Sequence, residues 1–362
     1  MKMSHINQNT KRTEGLEATS EEVKSHGNKG QTGARKVAWF ALAHLAAYFM
    51  AGGMFLFMTA RLPEESRRAL DFFTFYQPLG GLTLLSQLIR GIIIGVLCLP
   101  LLRVMENSSK PWLYLAGLVW GVGIFGSVEP LPGSFEGMLY TTTSAAEHLM
   151  ALLGSLVQVL LMAAILTKTG TIKRRQKKTA RKADETPEDT NSKKLQANYF
   201  KQFTLFHVAT YFLVGMIFYQ ISGYEEALAT MEMFALWRPL ENLVMPLVIF
   251  LGQFIRGVVL AALLFPYYRR FFMTAGGWKG LFITLWGMTF LAAVNIVPWV
   301  VQDVWLGEHP LRDLLIGPPE VTVQMLLFSG LLYAWHRRTI SLPGLTMGRE
   351  VSPVNVDSRA GK

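Results

Sequence analysis

Residues 87–103 read QLIRGIIIGVLCLPLLR, and residues 253–269 read QFIRGVVLAALLFPYYR. Gln, Ile, Arg and Gly recur in place, as do Leu97/Leu263, Pro100/Pro266 and the closing Arg103/Arg269. Each stretch is apolar enough to sit in lipid, yet each carries an arginine inside it. Outward from this pair the same offset of 166 persists. Trp112 returns as Trp278, Trp120-Gly121 as Trp286-Gly287, Pro132 as Pro298, and VQVLL at 157–161 as VQMLL at 323–327. Upstream, HLAAYF at 44–49 returns as HVATYF at 207–212, and the following loop matches from Glu64-Glu65/Glu225-Glu226 to Pro78-Leu79/Pro239-Leu240. Long-range self-similarity of this kind marks an internal repeat.

Composition sets the solvent in which the repeat folds. Of 362 residues, 51% are hydrophobic and only 17% are charged, whereas an ordinary soluble domain carries about 25% charged residues. About 20 apolar residues in a helix cross the hydrocarbon core. Eight apolar runs approach or exceed that length, at roughly 37–59, 82–102, 112–131, 145–167, 202–222, 243–265, 279–301 and 320–336. The fold class expected is therefore an all-α polytopic membrane protein, with eight transmembrane helices as two parallel tandem four-helix repeats. An even number of spans per repeat makes both copies enter from the same side, related by an axis along the membrane normal.

The net charge of +10 is distributed as topology demands rather than as nucleic acid would. With the N-terminus inside, inner segments hold 28 of the 35 Lys and Arg, outer segments five and the spans two. That is the positive-inside asymmetry. It predicts a multi-pass protein of the cytoplasmic membrane with both termini cytoplasmic. The expected layout is a disordered tail at 1–36, a first membrane repeat at 37–168, a basic linker at 169–200, a second repeat at 201–338 and a C-terminal tail at 339–362. The linker's KRRQKKTAR run is a topology anchor that can touch anionic lipid headgroups. The expected partners are thus the bilayer and a small anionic ligand, with no nucleic acid. Cys98, the one cysteine, excludes an intrachain disulfide.

The candidate site residues are the polar groups kept in both copies inside apolar runs. An arginine in mid-helix costs about 2.5–3.5 kcal/mol on insertion scales and so faces a partner or a wet cavity. Gln87 and Arg90 share a helix face, as do Gln253 and Arg256. Either pair can grip an anionic group, or can hold neighbouring helices through carbonyls or an acidic side chain. His44 and Tyr48, with His207 and Tyr211, lie four residues apart on one face of each copy's first helix. Such a histidine can relay protons, ligate metal or haem, or pack as a neutral donor. At 1.5 Å per residue, Tyr48 and Arg90 fall at similar depth, about 16 Å from the inner and about 12 Å from the outer edge. His44 falls near Gln158, whose counterpart is Gln324. A band of Tyr and Arg above His and Gln, present twice, is the resulting expectation.

The acidic pairs Glu64/Glu65 and Glu225/Glu226 read as a solvated interface with aromatic anchors, or as cation attraction at a vestibule. The Glu147-His148 and Glu308-His309 pairs break the register and carry no assignment. No P-loop, GxSxG, HExxH or zinc-type cysteine cluster occurs, so the sequence points to no enzyme class, catalytic residue, metal or cofactor. The leading expectation is a secondary transporter for a small anionic solute, its site at the interface between repeats. A membrane sensor or scaffold with a purely structural polar band is the alternative.

Overall fold

In a computed structural model, the structure describes residues 6–73, 80–173, 190–230, 234–239, 244–293 and 317–341, with side chains described for these residues except 6–31, 190–194 and 340–341. Among the described residues there is no strand, only an isolated bridge between Thr141 and Trp237. Five helices are long and apolar enough to cross a membrane. They lie within α1 (Ile6–Thr59), α3 (Gly81–Glu106), α6 (Ala145–Lys168), α7 (Thr190–Ile221) and α9 (Val244–Phe272). Shorter helices complete the chain: α2 (Arg68–Phe73), α4 (Pro111–Phe125), α5 (Phe135–Tyr140), α8 (Tyr224–Thr230) and α10 (Gly277–Trp286), with α11 (Pro318–Ser341) last. Leucines, phenylalanines and methionines such as Phe57, Met216, Leu247 and Ile255 are more than half exposed. Apolar surface spread over helix after helix in this way needs lipid around it.

Local chemistry explains several boundaries. Pro100 and Pro266 each sit in a 3-10 turn, Leu99–Leu101 and Phe265–Tyr267, that bends α3 and α9 near their ends; proline lacks the N–H that a continuing α-helix would use. α4 opens on Pro111, where the missing N–H costs nothing. Its last turns widen into a π-helix, Gly117–Val122, and α10 continues into another, Gly287–Leu291. α6 begins with a capping box: Ser144 Oγ accepts the Glu147 N–H at 3.3 Å while Glu147 Oε2 accepts the Ser144 N–H at 2.9 Å.

The glycine of the QLIRG motif is a packing device. A Cβ on Gly91 would lie 2.7 Å from Ala41 Cα and 3.0 Å from His44 Cβ, so α1 and α3 touch backbone to backbone there. Gly257 plays the same part with Thr204 Cα at 3.1 Å on α7. Across the molecule, Leu263 fills the space beside Gly121 and Leu97 the space beside Gly287. α3 thus packs on the π-turn after α10, and α9 on the π-turn of α4. One apolar core, from Phe40 and Leu97 to Phe203, Phe271 and Leu332, runs through both halves.

Four expectations need adjusting. The run at 112–131 is helical only as far as Phe125, because the Ser127–Gly133 stretch, with prolines at 130 and 132, breaks off as a loop. Helix α11 covers 320–336 but, carrying Glu320, His336, Arg337 and Arg338, is not among the five most apolar helices. The run at 279–301 is described only to Ala293. The N-terminal segment expected to be disordered is helical from Ile6, continuous with the span; it holds no proline to break the helix. Likewise α7 starts at Thr190, inside the expected linker, while residues 174–189 and 342–362 lie outside the described residues.

Candidate functional site

His44 and His207 are buried at the contact of each half's first two long helices. His44 Nε2 meets Gln87 Oε1 at 3.1 Å, and His207 Nε2 meets Gln253 Oε1 at 3.2 Å. With an amide oxygen as acceptor, Nε2 carries the proton and is not presented to a metal. His44, expected near the depth of Gln158, finds its hydrogen-bond partner in Gln87 on α3. Depth along a helix says nothing of which way a side chain faces, and Gly91 turns His44 toward α3.

The arginines reach from one half to the other. Arg90 Nε donates to the Ala292 carbonyl at 2.7 Å. Arg256 Nε donates to the Phe125 carbonyl at 2.5 Å, and its Nη2 to the Ser127 carbonyl at 2.7 Å. Its Nη1 makes an ion pair with Glu136, both side chains being almost fully buried, and approaches Gln253 Oε1 at 3.4 Å. These carbonyls are available because α4 and the π-turn after α10 stop there, leaving terminal C=O groups without intrahelical partners. Glu136 projects from α5, a helix started by Ser134, whose Oγ accepts the Gly137 N–H at 2.8 Å.

Two cavities flank these crossings. The larger, about 420 Å³, is walled by Tyr211, Arg256 and Gln324 of the second half and by Glu136 and Tyr140 of the first. It runs from Phe203 to Tyr219 along α7, sixteen residues or about 24 Å of helix. The smaller, about 120 Å³, is walled by Tyr48, Arg90 and Gln158 with Met288 and Ala292 from the other half. Of the residues expected to form a twofold band, Tyr48, Arg90 and Gln158 come together at one cavity, and Tyr211, Arg256, Gln324 and His207 at the other. His44, Gln87 and Gln253 lie behind the walls as positioning groups.

Several wall residues had no sequence signal beyond a lone polar residue in an apolar context. Tyr211 and Tyr140 share a hydrogen bond through their hydroxyls. Tyr140 stacks on Trp237, centroids 5.0 Å apart, and Tyr219 stacks on Tyr224 at 6.2 Å. Tyr224 donates to Glu320 at 2.5 Å; burial and the neighbouring carboxylate push its phenol well above the usual range, so it stays a donor. One repeat-matched pair of tryptophans also acquires roles: Trp120 Nε1 donates to Ser155 Oγ at 3.1 Å, and Trp286 Nε1 to Thr322 Oγ1 at 3.0 Å. Glu147-His148 is structural. Glu147 Oε1 accepts the N–H groups of Ala69 and Leu70 at 2.5 and 3.2 Å, and His148 Nδ1 accepts the Gly133 N–H at 2.9 Å. Glu308-His309 lies outside the described residues.

Among the described residues, no three His, Cys, Asp or Glu side chains converge as a metal set. No protein-family model, curated protein or solved structure matches the chain.

Proposed function

We propose that this integral membrane protein is a small-solute permease, built from two parallel four-helix repeats with both termini cytoplasmic, whose solute site is the larger cavity between the halves. One observation carries the reading. The costliest groups in the bilayer, Arg90 and Arg256, each cross to the opposite half, and each crossing forms a wall of a cavity. Paired crossings of this kind tie two rocking units together at the level where a solute would sit. The cavity volume lies within the roughly 300–1,000 Å³ range of small-molecule sites. The repeated sequence register and the inner excess of Lys and Arg support the eight-span topology.

The anionic solute suggested by the arginines is not carried forward for this cavity. Its arginine is neutralised by Glu136 and satisfied by two carbonyls, so an anion would have to part a buried ion pair, at a cost of several kcal/mol. The same satisfied arginine favours a second reading, a scaffold subunit whose polar groups only hold helices together.

Alternating access separates the two without knowledge of the solute. Cys98 is fully buried, so the native chain is a silent background for thiol labelling. Leu260→Cys places a thiol at the deep end of the cavity. A permease exposes it to a membrane-impermeant maleimide from both faces, in right-side-out and inverted vesicles. Labelling from one face only, or none, refutes the permease and favours the scaffold.

A further inference from the structure

Extending the permease reading, on which it rests for the identity of the site, we propose that the larger cavity takes a monovalent organic cation, with its charged head beside Glu320 and the Tyr219/Tyr224 pair. The charges of the wall come first. Its acidic and basic side chains are Glu136, Glu320 and Arg256. Arg256 and Glu136 cancel in their ion pair, and His207 is engaged with the Gln253 amide oxygen. That leaves Glu320, which accepts the neutral Tyr224 hydroxyl; among the described residues it has no other hydrogen-bond partner and no Lys or Arg reaches it. Among the described residues, the wall therefore carries one carboxylate without a basic partner. A largely buried carboxylate is costly without a counter-charge, and a bound cation supplies it.

The surrounding surface has the chemistry such a ligand needs. Tyr224 donates its hydroxyl to Glu320 while its ring stacks on Tyr219, the two planes 12° apart. Aromatic faces beside a carboxylate hold alkylammonium groups through the ring quadrupole. Further in, Phe203 and Phe328 offer apolar wall to the body of the ligand. Trp237 also lines the cavity, and its Nε1–H is buried without a partner among the described residues. A buried donor left unpaired forfeits its hydrogen bond to water without replacement. An acceptor on the ligand, a hydroxyl or carbonyl oxygen, would recover that cost. Cation head, apolar body and one acceptor together describe a hydroxylated or acylated quaternary ammonium compound.

Three probes of one shape and different charge test this: choline, neutral 3,3-dimethylbutan-1-ol and anionic 3,3-dimethylbutanoate. Thermal unfolding of the purified full chain in detergent reads each dissociation constant through its stabilisation. Choline should bind at least about tenfold more tightly than the alcohol, equivalent to about 1.4 kcal/mol, and the anion more weakly still. Glu320→Gln should erase most of choline's advantage and leave the alcohol unchanged. Should that variant fail to fold, Tyr219→Leu replaces a ring 44% exposed and should weaken choline severalfold while sparing the alcohol. Choline binding no tighter than the alcohol, including no binding of either at about 100 mM, overturns the proposal, as does undiminished choline affinity in Glu320→Gln or, where that variant does not fold, in Tyr219→Leu. Two-sided labelling of Leu260→Cys without choline preference sinks the cation and spares the permease; choline preference with one-sided labelling does the reverse.

Discussion

Replacing Glu136 by Gln tests whether the ion pair or the carbonyls hold Arg256. The glutamine keeps an acceptor oxygen of nearly the same shape and removes only the charge. Arg256 would retain the Phe125 and Ser127 carbonyls at 2.5 and 2.7 Å, each a neutral acceptor contributing about 1 kcal/mol net. These do not neutralise a guanidinium whose side chain is only 5% exposed. Breaking a buried pair and leaving one charge behind costs about 3–5 kcal/mol, and at about 1.4 kcal/mol per decade even the lower figure shifts the folding equilibrium more than a hundredfold. Arg256→Gln should cost a similar amount by stranding Glu136. The double variant, with two neutral amides, should recover about 2 kcal/mol of the summed loss, within the coupling expected of contacting groups. Equilibrium unfolding in mixed SDS and nonionic micelles measures all three. A Glu136→Gln protein within about 0.5 kcal/mol of wild type, or strict additivity in the double variant, would refute the argument.

Glu147→Ala removes the acceptor for the Ala69, Leu70 and Ser144 N–H groups and should cost about 2–4 kcal/mol; α2 should come loose, so trypsin should cut at Arg67–Arg68 faster, and an unchanged cleavage rate would count against the clamp. Gly91→Ala forces a Cβ to 2.7 Å from Ala41 Cα, against 3.1 Å from Thr204 Cα for Gly257→Ala. The first should destabilise by about 1–3 kcal/mol and the second by less, and the opposite order in the same unfolding assay would contradict the packing. Cys98, with 0% exposure, should react with maleimide only as the protein unfolds; complete labelling of folded protein within minutes would show that the α3 core is open.

What the amino-acid order determined by itself is the chain's solvent and its rhythm. Apolar length and the scarcity of charge call for lipid, and polar residues recurring at a constant offset announce the groups worth their cost. The Gln and Arg of QLIRG were legible as sharing a face, because that follows from helical periodicity alone. The partners of those groups were not legible. Whether Arg256 meets an anion, a carbonyl or Glu136 depends on where α4 stops and where the short α5 turns back, and those loops carry no period. Glu136 and Glu320, one apolar-context carboxylate in each half, become cavity walls only when residues more than a hundred positions away fold beside them. Charge balance at a site is a sum over neighbours from different helices, and tertiary packing alone assembles that sum; here it sets Glu136 against the Arg256 that had suggested an anion.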